Sequence, residues 1–202
     1  DTMKKSTLEQ LRRAGMAAIK YGVESGNQKV VDDSGKRLNL QTLRDMMKFT
    51  HSLGIKTHLT FSFGLPGETK QTMQETLDLA LECDPHTVQF SISTPFPGTR
   101  FYDWAKEKNL LLTTDFSAFD GMSRSVVRAE DLTAEELEAF LKHAYRAWDR
   151  HAAGRRGNLL ARVKSAPLSS LRLAMRNPRR ALSMARGFIG GRDVLAGKPA
   201  KT

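Results

Sequence analysis

One cysteine, Cys83, is the whole thiol content of this 202-residue chain, which excludes an internal disulfide and a cysteine-built metal or iron–sulfur site within it. The five histidines show no paired metal-ligand spacing, and each reads as packing or surface. No apolar run reaches 18 residues, so no membrane-crossing segment is expected. Asp1-Thr2-Met3-Lys4-Lys5 leads into a charged amphipathic stretch rather than an apolar one, so no signal peptide is expected, and the compartment reads as reducing and cytoplasmic. Acid is nearly absent from one region alone. Residues 150–202 hold thirteen Lys/Arg against the single acid Asp193, leaving nineteen bases and twenty-one acids in residues 1–149. A near-neutral domain is thus followed by a strongly basic tail.

The 40% apolar content suffices for a core, and its arrangement is periodic. Ser6-Thr7-Leu8-Glu9 has the form of a capping box, predicting a helix from Thr7 to about Arg13 that ends near Gly15. Ala17 to Val23 is short and apolar apart from Lys20, and reads as a strand delivering Glu24 to a rim. Asn39 caps a predicted helix with Leu40, Leu43, Met46, Met47 and Phe49 at helical spacing, and Gly54 takes the left-handed position after it. A strand from Ile55 to Phe63, a helix from Lys70 to Glu82 and a strand from Thr87 to Ser93 repeat the unit. Such alternation with short loops predicts an α/β fold of parallel strands with right-handed crossovers.

Each strand ends in a glycine-marked turn: Gly22-Val23-Glu24-Ser25-Gly26, Gly64-Leu65-Pro66-Gly67-Glu68-Thr69 and Pro95-Phe96-Pro97-Gly98-Thr99. That rhythm is the back half of a β/α barrel, which keeps its chemistry on the loops after its strands. Beyond it, a short helix is predicted from Thr99 to Lys108, then an irregular stretch through Ser123. Thr133-Ala134-Glu135-Glu136 is a second capping box, opening a helix with Leu137, Phe140, Leu141, Ala144, Tyr145 and Trp148 on one face. In the tail, Pro167 and Asn177-Pro178 mark helix starts, with Ala181, Leu182, Met184, Ala185, Phe188 and Ile189 on one side. The expected units are residues 1–112 for the half-barrel, 113–152 for a helical extension and 153–202 for the basic amphipathic tail.

Taken in order and spacing, with Lys36 after the first and the capped helix near Thr133, the three turns resemble strands four, five and six of the partial (β/α)6 barrel of radical S-adenosylmethionine enzymes, of the type carrying a cobalamin-binding domain. The likeness covers about residues 7–150. It implies that Glu24 and Ser25 lie near the ribose and methionine portions of S-adenosylmethionine, that Thr60 is a ribose contact, and that Gly64, Gly67 and Glu68 form a turn beside the adenine. Pro95 and Phe96 would flank the adenine from the next strand, where many relatives carry Tyr in place of Phe96. The family's Cys-x3-Cys-x2-Cys motif, which holds its [4Fe-4S] cluster, has no counterpart here. The resemblance therefore implies the C-terminal portion of a longer enzyme whose missing N-terminal half supplies the cluster, and possession of a cobalamin domain outside this chain. The intact enzyme would generate a 5′-deoxyadenosyl radical that abstracts hydrogen from substrate, and the fragment alone would be inactive.

For the basic tail, residues 155–190 read as a helix lying on an anionic membrane surface, with apolar and arginine positions on separate faces. A lipid or tetrapyrrole-like small-molecule substrate would suit such a place. Nucleic acid is the weaker reading, because the tail lacks interleaved aromatics. The alternatives are a tRNA-modifying relative, or a non-catalytic lipid- or RNA-binding module.

Overall fold

Lys56–Phe63 alternates without a break: Thr57, Leu59, Phe61 and Phe63 are buried, while His58, Thr60 and Ser62 lie on the opposite, half-open face. A strand of period two can bury only one row, so this segment fixes which side of the sheet carries the core. In the computed structural model, which describes residues 3–122 and 124–164, it is the central strand of a three-stranded parallel sheet. β1 (Ala18–Glu24) and β3 (Thr87–Ile92) flank this β2, each in parallel register. The helices are α1 (Lys5–Arg13), α2 (Gln28–Asp33), α3 (Leu40–Ser52), α4 (Lys70–Cys83), α5 (Arg100–Glu107) and α6 (Ala134–Lys164).

The buried row of β2 meets Val23, Phe90 and Ile92 from its neighbours, with Leu43, Met47, Met73, Leu77, Leu137, Leu141 and Trp148 closing over it from α3, α4 and α6. Phe90 stacks on both Phe61 and Phe63, with ring centroids 5.7 Å apart in each case, while Phe140 and Tyr145 meet the stack edge-on at 5.1 and 5.4 Å. Each such ring contributes about 1.5–3 kcal/mol through burial alone. A smaller cluster of Leu8, Met46 and Ile55 docks α1.

Most predicted elements stand where the periodicity put them, within a residue at each end. Asn39 caps α3 by accepting from Thr42 N, Gly54 follows it with φ +69°, and Thr133 and Glu136 form the reciprocal box that opens α6. The box expected at Ser6 does not form. α1 instead begins at Lys5 with Lys4 at its N-cap and no side-chain cap, because the helix is started two residues earlier by the Lys4 carbonyl accepting from Thr7 and Leu8. α2 was not foreseen: it is only six residues long, capped by Asn27, too short to show a period. The stretch after α5 holds a 3-10 turn at Phe116–Ala118 and an antiparallel bridge between Leu111 and Val127. The helices expected at Pro167 and Asn177-Pro178 lie outside the described residues. No helix of the described residues is long and apolar enough to cross a membrane.

The outer edge of β3 is closed without a strand. Tyr145 Oη accepts from Phe90 N at 3.0 Å and donates to Phe90 O at 2.8 Å, and Met122 O accepts from Ile92 N at 3.0 Å. A side chain of α6 and a loop thus occupy the groups that an edge strand would leave free. Tyr145→Phe keeps the ring and orphans both polar groups of Phe90. It should cost about 1–3 kcal/mol in denaturant titration of the full chain; a loss within the ±0.5 kcal/mol typical of surface changes would show that the hydroxyl has no such role.

Candidate functional site

The face of the sheet turned away from the helices carries Lys20, Gly22 and Glu24 on β1, His58, Thr60 and Ser62 on β2, and Thr87, Gln89 and Ser91 on β3. Ala18, paired with Lys56 at the N-terminal edge of this face, is its one apolar side chain among the described strands. The inward face of a closed β/α barrel is ordinarily filled by layers of branched apolar side chains. A polar face instead provides donors and acceptors for a bound ligand.

At the C-terminal end of β1 the ladder slips. Gly22 is opposite Thr60, yet Glu24 is opposite Phe61, so Val23 is the extra residue of a bulge that turns Glu24 toward Ser62. Glu24 has φ +73°, a left-handed conformation costing a side-chain-bearing residue on the order of 1 kcal/mol. Two partners hold its carboxylate: Lys36 Nζ at 2.6 Å from Oε1 and Ser62 Oγ, donating at 3.1 Å to Oε2. Both members of the ion pair remain about one-third exposed. Gly22 makes the pair possible, since a Cβ there would lie 2.9 Å from Lys36 Nζ and 3.6 Å from Thr60 Oγ1. One carboxylate, one ammonium and one hydroxyl thus converge on a glycine, with Ser62 holding the carboxylate's other oxygen.

The other predicted site residues divide by what their side chains already do. Ser25 is fully buried, with its hydroxyl 3.2 Å from Thr76 Oγ1 on α4 and accepting from Asn27 N. Gly26 presses on the same helix, where an added Cβ would sit 2.3 Å from Glu75 O. Glu68 is 1% exposed and folds back under its own turn, accepting from Gly64 N and Leu65 N through Oε2. Its carboxylate shapes the turn, leaving the backbone of Gly64 and Gly67, both at positive φ, as the surface that the turn presents. Glu68 Oε1 and Thr94 Oγ1 are buried without hydrogen-bond partners at the rims after β2 and β3. Pro95 is buried, whereas the Phe96 ring is 48% exposed beside Phe119. Thr60 lies on the polar face, level with Gly22. Ser62 and Lys36 were not among the predicted contacts. The signal for Ser62 was present in the alternation of 56–63, while Lys36 is placed by the α2 turn that the periodicity did not reveal.

The donor set fits S-adenosylmethionine, which brings an α-ammonium, an α-carboxylate and a ribose diol to one place: Glu24, Lys36, Thr60 and Ser62 match those charges and hydroxyls. It does not fit a [4Fe-4S] cluster. Cys83 is buried at the end of α4, and burial pushes its thiol up to about 11, with the neighbouring Glu82 charge adding to the rise. No group of His, Cys, Asp and Glu able to hold a metal ion occurs among the described residues.

Two expectations follow. Gly22→Ala should leave folding within about 1 kcal/mol while displacing Lys36, whereas Gly26→Ala meets backbone and should cost about 1–3 kcal/mol; equal costs in denaturant titration would contradict this division. Burial holds the Glu68 carboxyl up at about 7 against the partly offsetting amides of Gly64 and Leu65. The folded chain then keeps a proton that the unfolded chain has lost, so this contribution is full below pH 4.5 and disappears as pH rises through about 7. The change is on the order of 3 kcal/mol. Glu68→Gln should flatten that part of the stability–pH curve, and an unchanged slope would refute the assignment.

Residues 1–80 match the model of the Radical SAM superfamily. An uncharacterized methyltransferase of Pyrococcus horikoshii is 28% identical over 145 residues, covering 72% of this chain and 31% of the relative. The anaerobic magnesium-protoporphyrin IX monomethyl ester cyclase of Cereibacter sphaeroides is 26% identical over 142 residues, covering 70% of this chain and 23% of the relative. The chain spans about a quarter to a third of the length of these relatives. Coproporphyrinogen III oxidase from Escherichia coli, a radical SAM enzyme, matches the fold with a TM-score of 0.52 at 16% identity, over 73% of this chain and 29% of that one. Over residues 1–80 the chain thus resembles the Radical SAM superfamily, and its parallel β/α architecture is shared with the oxidase.

Proposed function

We propose that this chain supplies the S-adenosylmethionine-orienting half of a radical enzyme whose cluster is held outside it. The observation that carries the reading is the Glu24–Lys36 pair, built over Gly22 at the rim of the face that carries Thr60, Ser62, Gln89 and Ser91. Glu24 would take the ligand's ammonium or ribose hydroxyls, Lys36 its carboxylate, and Thr60 and Ser62 the remaining hydroxyl contacts. The Gly64–Gly67 turn would offer backbone to the adenine, held in shape from beneath by Glu68. When bound beside a reduced cluster, S-adenosylmethionine supplies a carbon radical able to remove hydrogen from a substrate. This chain's own part is to fix the ligand's polar groups, and such positioning by preorganised charges is a main source of rate in enclosed sites.

The substrate in this reading is an apolar small molecule of tetrapyrrole or lipid type, supported by the cyclase relative. A cobalamin domain elsewhere in the protein belongs to the same reading. The excess of positive charge in residues 150–202 would hold the enzyme against anionic lipid, each base near the surface contributing about 1 kcal/mol.

The test is reductant-dependent formation of 5′-deoxyadenosine by the full-length protein, purified anaerobically with its cluster loaded. Glu24→Gln and Lys36→Met should each lower the rate at subsaturating S-adenosylmethionine by tenfold or more, about 1.4 kcal/mol or above. Unchanged rates in both variants would sink the assignment.

A further inference from the structure

Below the Glu24–Lys36 pair the polar face changes character. Lys20 and His58 stand side by side in the sheet, with Thr87 completing the row, and His58 Nδ1 lies 2.8 Å from Thr87 Oγ1. Lys20 makes no ion pair among the described residues, and no carboxylate shares this row. Burial first, and then the Lys20 charge beside it, hold His58 below its ordinary value. Lys20 therefore carries the row's positive charge without a counter-charge beside it, and His58 adds a ring nitrogen rather than a second cation.

One row higher, Gln89 sits level with Thr60, and its Nε2 reaches Met122 Sδ at 3.9 Å. Met122 belongs to the loop that follows the 3-10 turn. It marks the inner margin of an exposed apolar patch: Met122 is 48% exposed, Phe116 57% and Phe96 48%, with Phe119 between the rings at 5.3 Å from Phe116 and 6.4 Å from Phe96. At Gly121, with φ +69°, an added Cβ would lie 3.4 Å from Phe96 Cζ. Two exposed phenyl rings and a thioether, with the half-buried Phe119 between the rings, exceed the scattered single apolar residues that a surface ordinarily shows. Gln89 lies two residues along the strands and two strand spacings across from Lys20, about 7 Å and about 10 Å, so a ligand of roughly 12 Å reaches from one to the other.

We infer that this face binds an amphipathic carboxylate, its apolar body on Phe96, Phe116, Phe119 and Met122 and its carboxylate on Lys20 and His58. The inference rests on the proposed function, since it gives that site its substrate class. The two halves of the ligand answer two independent features of the chain, a cationic row and an aromatic platform joined through Gln89. The chemistry recognised is an anion with a broad apolar body, and the polar middle row leaves room between them for hydrogen-bonding groups.

The test uses the full-length protein with its cluster loaded and follows the fluorescence of 1-pyrenebutyrate, with 1-pyrenebutanol as the uncharged counterpart. The acid is expected to bind at least tenfold more tightly than the alcohol. Lys20→Gln should reduce that preference below threefold. Phe116→Ser with Phe119→Ser should weaken both probes about tenfold, and Leu112→Ser, an equally exposed apolar residue in another part of the surface, should change neither. Absence of the acid preference, its survival in Lys20→Gln, or equal losses in the Leu112 and Phe variants would each overturn the inference. So would transfer of the phenylalanine-dependent binding to neutral phosphatidylcholine vesicles with the pyrene probes unaffected. S-adenosylmethionine uptake is measured in the same wild-type samples. Uptake without probe binding overturns this inference alone, whereas preferential probe binding without uptake supports it and overturns the nucleoside-site reading.

Discussion

Burial of the odd row of β2, Thr57, Leu59, Phe61 and Phe63, is the constraint from which the other features of this chain follow. Once that row faces α3, α4 and α6, the period of a strand commits His58, Thr60 and Ser62 to the other side, and parallel pairing commits β1 and β3 likewise. The Phe61–Phe90–Phe63 stack then fixes how far β3 is shifted along β2, which sets Gln89 beside Thr60 and Ser91 beside Ser62. The site is thus the complement of the core: the residues left over when the apolar ones have been satisfied.

Much of this was legible before any coordinates. Glycine-ended strands, the Asn39 cap, and the reciprocal Thr133–Glu136 pair all announce themselves through local chemistry, and each forms as the spacing predicts. The failures are equally local. Ser6 had the right neighbours for a cap, yet the helix began two residues earlier, since a cap is decided by where the chain enters and not by residue type alone. α2 escaped because six residues contain less than two turns.

The site was legible in part. That Glu24 reaches the rim could be read from an apolar strand ending in a carboxylate, but not that a bulge aims it or that Lys36 lies across Gly22 to meet it. Ser25 and Glu68 show the reverse. Both stand within glycine-marked turns, yet their side chains are consumed in holding those turns against α4 and under Gly64, so that backbone is what the turns display. A sequence motif names the residues of a turn without saying which ones look outward.

The left-handed backbone at Glu24 carries a consequence for anyone altering this chain. Judged by conformation alone, glycine would suit that position better, and a redesign guided only by folding stability would substitute it early. That exchange would remove the one carboxylate on the polar face and release Lys36 from its partner. Thermostabilised versions of this protein would therefore need Glu24 held fixed, because the ease of replacing it measures strain and says nothing of its use.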